Sequence, residues 1–255
     1  MSHKNQNLDV RLIIVGIEGE LIDTEILHYK KWLSVALEAK IVADEAAFKK
    51  LWQNDLIGIG DKAVYNRLVA EGEEYGRYLP MWEKVQAQID KYYLDHISEA
   101  KIPEGMAEAV ALSRQKGVRV MIVTHAPREL TKVQLDYVKS KTGIGFDINN
   151  DIIFGERKDG DAYQVALDYV NLERKKEGLP FIQAQNILVL DASEKYLERA
   201  KKLGMRAASI ALNLPAFLRS AHPAQKFMSM DWMDIPRLIV KSPSPYGREP
   251  STSPR

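Results

Sequence analysis

The chain reads as an α/β protein with a parallel sheet core and a helical insertion, and three observations predict this. Short, nearly unbroken apolar runs occur at 11–16 ("RLIIVG"), 118–124 ("VRVMIVT") and 186–191 ("NILVLD"), as expected of strands covered on both faces. Helical spacing of apolar residues separates the later runs, and strands alternating with helices indicate right-handed crossovers in a Rossmann-like sheet. Between the first two runs, residues 26–98 hold apolar residues at helical spacing and no strand-like segment.

In chain order, residues 1–10 are polar and read as a flexible N-terminus. The first strand runs into a turn containing Gly16 and Gly19, and a helix begins near Glu25. Strand-to-turn-to-helix is where many α/β enzymes place a nucleophile. In the insertion, Trp32, Leu33 and Leu37, then Phe48, Leu51 and Trp52, then Trp82, Val85, Ile89 and Tyr93 mark a cap of four or five helices over 26–98, with a turn at 58–64 ("IGIGDKA"). "KIPEG" at 101–105 marks the return, so the core comprises 11–25 and 99–240. Leu112 lies on a helix that ends before Gly117, and Leu130, Leu135 and Val138 lie on the helix after the second strand. Segments 151–154 ("DIIF") and 206–212 ("RAASIAL") are further strands. Tyr196, Leu197 and Ala200 lead to Gly204, where a helix C-cap glycine belongs. The tail 241–255, "KSPSPYGREPSTSPR", has almost no apolar side chain to offset its ordering entropy and is predicted to be disordered. Its Ser-Pro pairs read either as proline-directed phosphorylation sites or as part of a plain solvated tail.

Composition narrows the function classes. With 36 Lys plus Arg against 35 Asp plus Glu, no global field favours nucleic acid or an acidic membrane. The absence of cysteine excludes disulfides, thiolate zinc sites and cysteine nucleophiles, and fits a reducing compartment. No apolar run approaches the roughly 20 residues of a membrane span. The expectation is a cytoplasmic protein.

The order of motifs resembles the haloacid dehalogenase-like (HAD) superfamily, and within it the phosphoglycolate phosphatase and β-phosphoglucomutase relatives with a helical cap. The likeness spans about residues 10 to 240. The first family motif is Asp-x-Asp-Gly-Thr followed by Leu-x-Asp-Ser or Leu-x-Asp-Thr, and "GIEGELIDT" keeps its frame through Gly19, Leu21, Asp23 and Thr24. The resemblance then puts Gly16 at the nucleophilic, magnesium-binding aspartate, Glu18 at the general acid and base, and Glu20 at the threonine. It makes Thr124 in "MIVTHAPREL" the phosphoryl-binding residue, with His125 beside it. On the residues alone, Thr124 is equally a cap of the next helix and His125 a local hydrogen-bonding residue. The family's charge-balancing lysine falls on Lys158, with Arg157 competing and a solvated surface lysine as the plain reading. The final acid pair becomes Asp191 and Ala192, followed by Ser193.

A glycine hydrogen cannot form an acyl phosphate, and a hard dication wants about six oxygens, several of them carboxylate. The resemblance therefore implies a degenerate site with no catalytic residues, in which Gly16, Glu18 and Ala192 mark what is lost. A remaining ligand or anion pocket would use Thr124, His125, Lys158 and Glu18. No cofactor is expected; magnesium would bind weakly at Asp191, and only if the site proved competent. Function is then by binding, either as a sensor of a phosphorylated small molecule or as a partner-binding protein acting through the cap or the tail. Neither nucleic acid nor membrane is expected as a partner. The alternative is a phosphatase of a small phosphorylated metabolite with Glu18 or a water as the nucleophile.

Overall fold

The computed structural model describes residues 9–56, 60–74, 76–155, 161–210 and 229–239. A six-stranded, all-parallel sheet has the order β3-β2-β1-β4-β5-β6, from β1 (Leu12–Val15), β2 (Arg119–Thr124), β3 (Ile152–Phe154), β4 (Ile187–Leu190), β5 (Arg206–Ile210) and β6 (Ser229–Met230). Its unbroken apolar runs have a direct cause: side chains alternate between two faces, and both faces are covered. Ile13 and Val15 join Val120, Ile122, Leu188 and Leu190 on one face, under α5 (Met106–Gln115) and α6 (Arg128–Thr142). Leu12 and Ile14 join Met121, Val123, Ile187 and Val189 on the other, under α7 (Ala162–Lys176) and α8 (Glu194–Lys202). A short helix, α9 (Ile235–Leu238), packs on α5.

Between β1 and β2 the described residues form α1 (Glu25–Glu38), α2 (Glu45–Leu51) with a π-helical turn at Trp52–Leu56, α3 (Asp61–Glu74) and α4 (Trp82–His96). These helices enclose a separate apolar cluster that includes Trp32, Phe48, Trp52, Leu68 and Ile89. The turn expected over 58–64 does not extend past Gly60, since Asp61 opens α3 with its carboxylate held by Lys31 and Trp32. Residues 57–59 lie outside the described residues, as do the N-terminal eight residues and the Ser-Pro tail. The two crossings between sheet and insertion are stitched together, since the Asp23 N–H donates to the Lys101 carbonyl at 2.8 Å. No helix among the described residues is long and apolar enough to cross a membrane.

Candidate functional site

The carboxyl ends of β1, β2 and β4 meet where the strand order reverses, and an open sheet leaves a crevice at that point. Gly16 follows β1, Thr124 ends β2 and Asp191 follows β4. These three line a cleft of about 820 Å³ together with Glu18, His125 and Ala192 from the core, and with His28, Asp61 and Tyr93 from α1, α3 and α4. The structure thus brings together the candidate site residues, apart from Lys158 and its competitor Arg157, which lie outside the described residues.

The turn after β1 positions two glutamates differently. Gly19 has φ 99°, a conformation that strains any residue with a Cβ, and its N–H donates to the Ile22 carbonyl at 2.8 Å. The N–H groups of Leu21 and Ile22 both return to the Ile17 carbonyl at 3.0 Å, closing the turn. Glu18 points to the helices, whereas Glu20 points back to β1.

A carboxylate from further along the chain reaches the end of β1 beside Gly16. A Cβ built on Gly16 would lie 2.5 Å from Glu20 Oε2 and 3.1 Å from Glu20 Cδ. Gly16 has no positive φ, so its backbone does not call for glycine; the occupied space does. Glu20 stands where the motif has threonine, and its longer acidic side chain reaches where a hydroxyl would not.

Glu18 is committed to a polar network between sheet and helices. Its Oε1 accepts from Gln134 Nε2 at 2.8 Å, and its Oε2 meets His28 Nε2 at 3.2 Å. Gln134 Nε2 also donates to the Tyr93 hydroxyl at 2.9 Å. Farther along, Lys31 Nζ and Trp32 Nε1 each donate to Asp61 at 2.8 Å, and His28 Nδ1 lies 3.9 Å from the same carboxylate. Burial opposes ionisation of Glu18, but the positive charge and hydrogen bond of His28, the nearby Lys31 and the Gln134 amide outweigh it and bring its pKa down to about 2. Burial and Lys31 push His28 down, while Glu18 and Asp61 push it up, and the net direction is up.

These opposite shifts give a stability window. The raised His28 stabilises the fold below its unfolded pKa of 6.5, and that contribution disappears as pH rises through the folded value. The lowered Glu18 stabilises above its unfolded pKa of 4.5, and that contribution is lost as pH falls towards about 2. The difference in melting temperature between wild type and His28→Gln is therefore expected to be largest between roughly pH 4.5 and 6.5 and to shrink in alkaline buffer. A difference that grows with rising pH would contradict this arrangement.

Three other residues take specific places. Thr124 Oγ1 accepts from the Ala126 N–H at 3.1 Å, while the N-cap position of α6 is Pro127, so Thr124 shapes the turn rather than capping the helix. The His125 ring lies 6.3 Å from that of Tyr196. Arg128 bonds Asn149 and lies over the Phe154 ring, engaged outside the cleft lining.

At the end of β4 the motif carboxylate is already engaged. Asp191 Oδ2 accepts from the Tyr163 hydroxyl at 2.8 Å and its Oδ1 from the Ser193 N–H at 2.8 Å, and Ala192 contributes no oxygen from its side chain. Among the described residues, no three His, Asp or Glu side chains converge as a metal site.

His28, Lys31, Asp61 and Gln134 were not singled out from the sequence. A signal existed for three of them: His28 and Lys31 stand one helical turn apart on α1, on the side of the buried Trp32. Gln134 sits four residues from both Leu130 and Val138, a polar residue on an apolar stripe, which calls for a buried partner. Asp61 gave none, because the fold alone brings α3 to α1.

No protein-family model matches the chain, and no curated protein matches it. Solved structures do. A predicted phosphoglycolate phosphatase from Haemophilus somnus superposes with TM-score 0.62 at 16% identity, covering 90% of this chain and 97% of that one. CbbY from Rhodobacter sphaeroides, solved in complex with phosphate, gives TM-score 0.60 at 15% identity over 89% of this chain and 96% of that one. A HAD family hydrolase from Deinococcus radiodurans, with bound phosphate and sodium, gives 0.57 at 14% identity over 91% of this chain and 99% of that one. The chain has the haloacid dehalogenase-like fold, and likeness at this level of identity establishes the fold alone.

Proposed function

We propose that this protein is a non-hydrolysing form of the fold, which works by holding a ligand in the cleft between sheet and helices. The observation that carries the reading is the engagement of Glu18. Both its oxygens are occupied, by Gln134 and by His28. The position that the sequence frame gives to the acid and base is occupied by a structural anion. Gly16, Ala192 and the engaged Asp191 support the same reading. A cleft of about 820 Å³ is within the range of small-ligand sites.

A phosphorylated metabolite is the first ligand class to try, because the Rhodobacter structure holds phosphate. In calorimetry with inorganic phosphate and a panel of sugar phosphates, the expected result is binding of a phosphorylated ligand that is recovered intact. Silence with every ligand at millimolar concentration would remove the sensor reading and leave the partner-binding one. The tryptophans Trp32 and Trp52 of the insertion are buried, and among the described residues its exposed large apolar side chains are Leu37, Tyr78, Met81 and Leu94.

One observation favours a second reading, a phosphatase: the Glu20 carboxylate beside Gly16. Release of inorganic phosphate by wild type, abolished in Glu20→Gln, would establish that reading and overturn the first.

A further inference from the structure

We propose that Glu20 replaces, through space, the side chain that residue 16 lacks, so that the two positions act as one unit and its carboxylate forms the floor of the cleft. In an aspartate, two bonds separate Cβ from each carboxylate oxygen, a span of about 2.4 Å. Glu20 Oε2 stands 2.5 Å from the Cβ position of residue 16. The oxygen is at aspartate-like reach from the end of β1, although its own backbone lies four residues further on.

Local structure explains how a residue beyond the turn can do this. The positive φ of Gly19 and the bond from the Leu21 N–H to the Ile17 carbonyl fold the chain back on the strand end. Trp232, buried in the core, donates its indole N–H to the Glu20 carbonyl at 3.1 Å and fixes residue 20 from the C-terminal segment. Glu20 is 1% exposed, so its side chain has little room to swing aside. The neighbouring glutamate cannot exchange roles with it, because Glu18 is held by His28 and Gln134. Glycine at 16 is what admits the residue 20 carboxylate to the foot of the cleft. This assignment does not depend on whether the protein turns a ligand over, so it and the non-hydrolysing reading fail separately.

The test is a double-mutant cycle on the full chain, read as melting temperature. Gly16→Ala is expected to lower it by roughly 5 °C or more, because the new methyl collides with the carboxylate. In a Glu20→Ala background the same change should cost no more than about 1–2 °C, since the space is then empty. Equal costs in the two backgrounds would overturn the proposal. Should Glu20→Ala fail to fold, Glu20→Gln keeps the bulk, and Gly16→Ala must then cost as much as in wild type; a cost that vanishes there also overturns it. Chemical rescue tests the carboxylate itself. Sodium acetate should raise the melting temperature of Glu20→Ala above that in sodium chloride of equal ionic strength, with no such gain in wild type. Equal effects of the two salts on Glu20→Ala would contradict a carboxylate site. Wild-type hydrolysis of p-nitrophenyl phosphate that Glu20→Gln abolishes would support this assignment while overturning the non-hydrolysing reading.

Discussion

Replacing Asp61 with alanine is expected to lower folding stability by about 3 kcal/mol, the cost of leaving a buried charge without its partner. Lys31 is 3% exposed, and its ammonium group is held by Asp61 at 2.8 Å. The same carboxylate receives the Trp32 indole N–H, so the substitution strands two buried donors at once. The charge is the larger part, and removing it should recover most of the loss: Lys31→Met with Asp61→Ala is expected to be markedly more stable than Asp61→Ala alone. Denaturant unfolding of the two variants measures this. A loss below about 1 kcal/mol for Asp61→Ala would mean that the pair is no more than an exposed ion pair. The prediction also bears on function, because Asp61, Lys31 and His28 join α1 to α3 in the same network that holds Glu18.

Rebuilding the site is expected to require four substitutions. Gly16→Asp, Glu18→Asp and Ala192→Asp together restore the acidic residues of the motif frame, yet this triple variant should stay inactive and melt early. Glu20 already occupies the space, and its carboxylate would repel the new one at contact distance. Adding Glu20→Thr clears the space and should give magnesium-dependent hydrolysis of p-nitrophenyl phosphate at least roughly 10³-fold above wild type, through acid–base and electrostatic terms. Activity in the triple variant equal to that in the quadruple would show that Glu20 does not block position 16.

The three central strands were legible because they are covered on both faces and carry no interrupting polar residue, as in "RLIIVG" and "NILVLD", whereas the two-residue β6 is too short to leave a pattern. The helical insertion was legible from the spacing of Trp32, Phe48, Trp52 and Ile89, which now form one cluster. The cleft positions contributed by the core were legible because they sit at strand ends, which the motif frame marks. What escaped was the direction of long side chains. Glu20 looked like a lost threonine, and only the backbone fold around Gly19 shows that its carboxylate returns to Gly16. The network around Glu18 escaped for a different reason. His28, Asp61, Tyr93 and Gln134 are 10 to 116 residues from Glu18 in the chain, and no local spacing relates them. Long-range polar contacts are set by helix docking, which a single sequence encodes only through its whole fold.

The most direct test is steady-state phosphate release by the purified wild-type chain with p-nitrophenyl phosphate and magnesium, beside Glu18→Gln and Glu20→Gln. The expected result is release no faster than in a heat-inactivated sample for all three proteins. Release by wild type at ordinary enzymatic rates, lost in either variant, would show that a carboxylate assigned here to structure is a working catalytic group.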